Sequence, residues 1–257
     1  MRVEPALARE AAPRRRPGRR RSPGWVPNQH GAWAMLASPL LVGAIASGPA
    51  PIHALLGVWW FVGYFAFFAT SLWLKSGRKA RFRRPVAVYA ASAAVGGGLL
   101  AWLRPDLLRW APLFVLPLGV GLWAAAHRQE RALLAGVTTV VGSALMTMVA
   151  YDAGAGADWS RAWWLAASQF LYFAGTVFYV KSMIRERGNE RFHAVSVAAH
   201  GLATVAVAAR SWWLTFVFAL LTLRAWIVPR YHLTPKQIGI AEIASTLVVA
   251  IVSLATL

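Results

Sequence analysis

Long apolar segments separated by short polar ones fill the chain from residue 31 to its end. Each is close to the length of a membrane-crossing helix, which needs roughly 20 mostly apolar residues. The pattern predicts nine helices, at 31–48, 52–74, 86–103, 109–126, 132–150, 161–183, 192–209, 211–228 and 237–256. We therefore expect an all-α, polytopic membrane helical bundle, built as a single transmembrane domain over residues 26–257.

Composition supports this fold class and excludes several kinds of site. Hydrophobic residues make up 58% of the chain and charged residues 14%, against about 25% charged in soluble domains. Cysteine is absent, which excludes disulfides, thiolate metal sites and a cysteine nucleophile. A net charge of +18 would suggest nucleic acid as a partner of a soluble protein. In a membrane protein cations gather in cytoplasmic loops instead, so we expect no nucleic-acid partner.

The positions of these cations predict an orientation. Residues 1–25 contain arginine runs at 14–16 and 19–21 and are too polar to bury apolar surface. We expect a disordered basic cytoplasmic tail which, with the basic loops, is drawn to anionic membrane lipids. With the N-terminus inside, all but four of the 27 Lys and Arg residues fall on the cytoplasmic side. The distribution predicts N-in, C-out.

Two polar stretches share one pattern, TSLWLKSGRKAR at 70–81 and TVFYVKSMIRER at 176–187. They end the second and sixth predicted helices. Because these helices are four apart in the order, both cross the membrane in the same direction. This predicts a parallel repeat of two four-helix halves followed by a ninth helix, with Lys75 and Lys181 in equivalent places. Aromatic belts and snorkelling cations produce a similar pattern at many membrane exits, so topology alone is the competing explanation.

The layout resembles the UbiA prenyltransferase superfamily, which has nine helices, an N-in topology and active-site motifs in the loops after helices two and six. For an enzyme, the resemblance implies a UbiA-like transferase. The aspartate-rich motifs of that superfamily hold magnesium and diphosphate, but neither loop here contains Asp, and the second offers only Glu186 and Glu190. Phosphate-bound Mg²⁺ is held through carboxylates. The sequence therefore disfavours Mg²⁺-dependent prenyl transfer and leaves open whether the protein is an enzyme.

Three short motifs carry a closer resemblance: PNQHGAW at 27–33, IRERGN at 184–189 and IGIAE at 238–242. On these the chain resembles the YwiC-like family of bacterial membrane proteins. The resemblance implies a multi-pass protein of the bacterial cytoplasmic (inner) membrane. It brings a fold and a location, and no reaction.

Polar residues at the predicted cytoplasmic side form a candidate binding site. Tyr172, Thr176 and Tyr179 share one face of the sixth helix, and His193 and His200 share one face of the seventh. His200 lies about 12 Å into its helix, and Glu242 is the only acid within the predicted spans. Ionisable groups inside a membrane are functional candidates by default. The predicted substrate-binding set is Asn28, Gln29, His30, Lys75, Tyr172, Thr176, Tyr179, Lys181, Arg185, Glu186, Arg187, Asn189, His193, His200 and Glu242.

A lone carboxylate in this position requires a cation or a proton. Lys181, Lys75, Arg185 and His200 are the partners that the sequence offers to Glu242. For other members of the set simpler explanations compete: Asn28 could cap the first helix, and the loop cations could serve topology alone. No catalytic residue, metal site or cofactor is predicted. Haem in particular is disfavoured, because His200 has no second histidine at matched depth to act as the other ligand.

Three functions remain open on the sequence. The first is a cytoplasm-facing cationic cavity that binds the anionic head group, phosphate or carboxylate, of an amphipathic molecule such as an isoprenoid or a lipid. An arginine fork would grip the anion with two hydrogen bonds and a lysine would act as a point charge. The second is a proton-coupled transporter that uses His200 and Glu242. The third is a non-catalytic membrane scaffold.

Overall fold

The structure is a computed structural model that describes residues 24–27 and 30–257. The described residues form nine α-helices, which confirms the predicted fold class and number of helices. They are α1 (His30–Ser47), α2 (Pro51–Lys75), α3 (Arg83–Leu103), α4 (Ala111–Ala126), α5 (Leu133–Ala153), α6 (Trp159–Ile184), α7 (Glu190–Ala208), α8 (Trp212–Ile227) and α9 (Pro235–Thr256). Short 3-10 turns precede α3 (Ala80–Phe82), α4 (Pro105–Trp110) and α9 (Val228–Arg230). The predicted basic tail lies outside the described residues, except for Gly24 and Trp25.

Six helical stretches are long and apolar enough to cross a membrane: Pro51–Lys75, Ala80–Leu103, Pro105–Ala126, Leu133–Ala153, Trp212–Arg230 and Pro235–Thr256. Large apolar side chains also point outward along them, with Trp102 78% and Val95 74% exposed. Such a surface suits lipid and not water. The chain is therefore a multi-pass membrane protein. That α1, α6 and α7 also cross the membrane stays a prediction, because α1 is shorter and α6 and α7 are more polar than these six stretches.

Three helices form the centre of the bundle. α1 packs along α5, and α5 packs along α6. On one flank α2 packs against α3 and α4, and α4 returns to α5; on the other, α7 packs on α6, α8 on α7, and α9 on α8, α6 and α1. α5 is deeply buried, and Val140, Met148 and Ala150 are inaccessible. The predicted parallel repeat and orientation remain predictions.

A glycine allows the closest contact in this centre. A Cβ added to Gly43 of α1 would lie 2.2 Å from the Thr147 carbonyl oxygen of α5 and 3.0 Å from the Tyr151 nitrogen. Only hydrogen fits there. Small residues let membrane helices approach closely, where van der Waals contacts and weak hydrogen bonds add up.

The last four helices begin with side-chain caps. Asp158 Oδ1 accepts from Arg161 N at 3.0 Å, and Asn189 Oδ1 accepts from Phe192 N at 3.1 Å. Ser211 caps α8 in the same way, and Thr234 forms a capping box with Gln237 at the start of α9. Each cap satisfies a backbone N–H that the first helical turn leaves without an intrahelical partner. These caps fix where α6 to α9 begin, and so set the depth of the polar residues that they carry.

Candidate functional site

A buried ion pair joins α8 and α9. Arg224 Nη1 lies 2.7 Å from Glu242 Oε1, and the two side chains are only 16% and 11% exposed. The well-aligned hydrogen bond from Nη1 goes instead to Ser245 Oγ, at 3.0 Å. Glu242 Oε1 is therefore held by charge and proximity, without a hydrogen bond of good geometry.

Hydroxyl groups of α6 hold the other carboxylate oxygen. Thr176 Oγ1 donates to Glu242 Oε2 at 2.9 Å, and Tyr172 Oη lies 3.1 Å from the same atom. Tyr172 Oη also lies 3.1 Å from Thr246 Oγ1, one turn further along α9. We call these six residues the polar core: Tyr172, Thr176, Arg224, Glu242, Ser245 and Thr246.

Aromatic rings and His200 extend the polar core towards α7. The guanidinium of Arg224 lies over the Tyr179 ring, 4.3 Å from its centroid, a cation–π geometry that suits a desolvated arginine. The ring of His200 meets Tyr179 edge-on at 6.5 Å. His200 Nδ1 donates to the Ser196 carbonyl oxygen at 2.8 Å, and its Nε2 faces Gly175, where an added Cβ would lie 3.0 Å away.

Arg224 is not fully satisfied. Its Nε and Nη2 are buried and have no hydrogen-bond partner in the described part of the chain. A guanidinium offers five donors, and leaving donors unpaired inside a protein costs free energy. Most buried polar groups find partners, so this cation stands out as a place where a further acceptor would fit chemically.

Other predicted residues line the end of the bundle where α6 stops and α7 begins. Lys181 Nζ lies 5.2 Å from the centroid of the Phe192 ring, and His193 Nε2 donates to the Ala225 carbonyl oxygen at 3.1 Å. Arg187 Nη1 donates to His232 Nδ1 at 2.7 Å. Glu186 accepts a hydrogen bond from Asn189, which caps α7, and Arg185 is exposed at the end of α6. None of these contacts is made with a residue of the polar core.

Lys75 has a different neighbourhood. Its Nζ lies 2.9 Å from Glu130 Oε1, in the loop between α4 and α5, and the pair is partly exposed. The helices packed against α2 are α1, α3, α4 and α5, so Lys75 belongs to the flank opposite α7 to α9. Asn28 and Gln29 lie outside the described residues, as does the side chain of His30. Their predicted roles stay predictions.

The partner of Glu242 is the residue that the sequence reasoning missed. It offered Lys181, Lys75, Arg185 and His200, and it counted Arg224, near the end of the predicted helix 211–228, only among the cytoplasmic cations. The structure confirms that Arg224 lies within α8, which ends at Ile227, and shows that its guanidinium meets Glu242 of α9. One signal was available in the sequence. The connection between α8 and α9 is short, so the two helices are neighbours that run in opposite directions. Arg224, one turn before the end of α8, can therefore meet Glu242, two turns into α9.

The described residues contain no group of three or more His, Asp or Glu side chains arranged to hold a metal ion. The polar core supplies one carboxylate beside an arginine. This donor set suits binding of an anion or transfer of a proton, because a guanidinium next to the carboxylate repels any metal cation.

Comparison with known proteins places the chain in a family. The model of the YwiC-like protein family matches residues 26–151. The uncharacterized protein YwiC of Bacillus subtilis (strain 168) is 32% identical over 222 residues, 86% of this chain and 92% of the relative. An uncharacterized protein of Haemophilus influenzae is 29% identical over 230 residues, 87% and 94% of the two chains. No solved structure matches the chain. With identity of this extent over nearly the whole of both chains, the protein belongs to the YwiC-like protein family.

Proposed function

We propose that this protein, seated in the bacterial cytoplasmic membrane, binds the anionic head group of an amphipathic molecule at the polar core. The observation that carries the proposal is Arg224, a buried cation with Nε and Nη2 free of hydrogen-bond partners among the described residues. The head group is a phosphate or a carboxylate, since both accept two parallel hydrogen bonds from one guanidinium. Arg224 is not in the binding set predicted from the sequence, whose lysines and arginines are Lys75, Lys181, Arg185 and Arg187.

The surroundings of Arg224 suit a head group better than a free polar solute. Apolar side chains of α9 and α7 point outward nearby, with Ile240 58% and Ile243 53% exposed. A hydrocarbon chain would lie along this lipid-facing surface while its head group reached inward. Stacking of Arg224 on Tyr179 fixes the guanidinium plane, so less side-chain entropy is lost on binding.

Approach to the site is favoured by charge. Lys181, Arg185, Arg187 and Arg191 cluster at the connection from α6 to α7, and Arg230 and Lys236 at the connection from α8 to α9. These six cations outnumber the two acids among them, Glu186 and Glu190, and a net positive charge raises the local concentration of anions. The orientation predicted from the cations places this end in the cytoplasm, where we propose that the ligand enters.

The test is binding of defined probes to delipidated protein, followed by native mass spectrometry. The probes are dodecyl phosphate, dodecanoate and the neutral dodecyl maltoside. Wild-type protein should retain one of the two anionic probes and not the neutral one, which also separates phosphate from carboxylate ligands. The double variant Arg224→Gln/Glu242→Gln removes both charges together, and retention should fall at least tenfold, about 1.4 kcal/mol of binding free energy.

Arg81→Gln is the matched control, because Arg81 is an exposed cation before α3, away from the polar core, whose guanidinium lies 4.8 Å from the Phe82 ring centroid. It should retain the anionic probe as wild type does. Equal retention by wild type and the double variant would contradict the proposal and favour a scaffold role.

Proton-coupled transport is a second candidate, favoured by polar contacts that continue beyond the polar core. Ser38 Oγ donates to Gln169 Oε1 at 2.7 Å, and Ser168 Oγ lies 3.0 Å from Ser253 Oγ. Near the opposite end, Arg161 donates to the Leu254 carbonyl oxygen at 3.2 Å. This line of polar groups along α6 would serve a proton path. Transport requires a flux of protons across proteoliposomes that contain the wild-type protein, whereas binding alone does not.

A further inference from the structure

We propose that Glu242 competes with the ligand for the charge of Arg224: its carboxylate pairs with Nη1, beside the free Nε and Nη2 that bind the ligand's anion. Binding then requires Glu242 to accept one proton and release Arg224. The inference rests on the proposed function and adds its regulation, since it makes occupancy of the site depend on proton supply.

The two oxygens of Glu242 have separate tasks, which is why the exchange is feasible. Oε1 meets Arg224 at 2.7 Å and has no aligned hydrogen bond. Oε2 is held by Thr176 at 2.9 Å and by Tyr172 at 3.1 Å. The contact with Arg224 can therefore be lost while the hydroxyl groups of α6 keep the side chain in place. Release of Glu242 would free Nη1 of Arg224 to donate a further hydrogen bond to the ligand.

Charge makes the two anions exclusive. A second anion on Arg224 would lie within a few ångströms of the Glu242 carboxylate, and like charges in a poorly solvated site raise the affinity of one of them for a proton. The bond formed is the O–H of the carboxylic acid, and the bond broken is the one that held this proton on hydronium or on a buffer acid, which leaves water or the conjugate base. Hydroxyls both donate and accept, so Tyr172 and Thr176 can satisfy the neutral acid as well as the carboxylate.

The other titratable groups near Glu242 define the alternatives. α6 presents Tyr172 and, further along, Tyr179, while α8 presents Arg224. His200 of α7 reaches Glu242 only through Tyr179 and Arg224. α1 also packs on α9, and it has no titratable side chain from Gly31 to Ser47. A proton taken up on binding therefore goes to Glu242 or to His200.

The experiment is isothermal titration calorimetry with decyl sulfonate, below its critical micelle concentration, in two buffers of different ionisation enthalpy. The sulfonate does not titrate near neutral pH, so the difference in heat counts protons taken up by the protein. Wild type should take up close to one proton for each probe bound. Glu242→Gln should take up none. Its affinity should rise at least several-fold over that of wild type at neutral pH, because binding to the variant no longer requires a proton.

Glu130→Gln is the matched control, because Glu130 also pairs with a cation, Lys75, but on the opposite flank. It should behave as wild type. Binding by wild type without proton uptake would overturn the inference and leave the proposed function standing. Uptake that persists in Glu242→Gln would assign the proton to His200 and overturn it as well. Absence of binding in all three proteins would overturn the proposed function itself. If Glu242→Gln does not fold, His200→Gln takes its place: uptake of close to one proton by that variant supports the inference, and loss of the uptake overturns it.

Discussion

At the scale of single residues, the Arg224–Glu242 pair places two charges in a poorly solvated part of the bundle. Both side chains are largely withdrawn from solvent, and removing two charges from water is repaid only when geometry and extra hydrogen bonds are good. Here the hydroxyls of Tyr172 and Thr176 supply those bonds to Glu242, and the hydroxyl of Ser245 accepts one from Arg224. The free donors of Arg224 remain, which is why we regard the pair as functional and not as a device for stability.

Stability measurements should separate the pair from its members. Arg224→Gln leaves a buried carboxylate without its cation and should lower the free energy of unfolding by about 3 kcal/mol or more. Arg224→Gln/Glu242→Gln should recover most of that loss, because no unpaired charge remains. Thermal unfolding in detergent micelles, followed by circular dichroism, provides the comparison. If the double variant is as unstable as the single one, the two residues do not act as a pair.

At the scale of elements, α6 is the helix that serves both the core and the candidate site. It contacts α5, α7, α9 and α1, and it carries Tyr172, Thr176 and Tyr179 on the faces turned to these neighbours. Its polar residues exclude it from the stretches that are apolar enough to cross a membrane by composition alone. A helix of this kind is stable in lipid only when its neighbours cover its polar face.

The contact between α1 and α5 gives the element-scale prediction. Gly43→Ala would place a Cβ 2.2 Å from the Thr147 carbonyl oxygen, so the two helices would have to separate. We expect Gly43→Ala to lower the free energy of unfolding by roughly 1–3 kcal/mol. The matched control is Gly63→Ala in α2, where an added Cβ meets nothing within 4 Å and removal of a helical glycine should be neutral or slightly stabilising. Unfolding temperatures that fall equally in both variants would contradict this packing.

At the scale of the whole molecule, the orientation in the membrane is the main open prediction. The chain has no cysteine, so single-cysteine variants report one position each. Lys79→Cys in the α2–α3 connection should be protected from a membrane-impermeant maleimide in intact cells, and Ala157→Cys before α6 should be labelled. Both positions are exposed in the folded chain. The reverse pattern would overturn the N-in orientation and place the polar core at the outer side.

Much of this protein was predictable from its sequence, for a physical reason. Membrane helices must be apolar over their length and satisfy their backbone internally, so the nine helices could be assigned within a few residues of their observed ends. The same rule identified Glu242 as an anomaly and placed Tyr172 and Thr176 on one helical face. Periodicity along a single helix carries that information without knowledge of the neighbours.

Which helices meet was decided only by the tertiary structure. The sequence could not identify Arg224 as the partner of Glu242, since several cations lay at a similar depth and choosing among them needs the packing of α8 on α9. It also grouped Lys75 with Lys181 through the similar stretches after α2 and α6, whereas the structure pairs Lys75 with Glu130 on the opposite flank. Apolar patterns state which residues prefer lipid or protein, and the close fit of side chains between helices decides which polar residues come together.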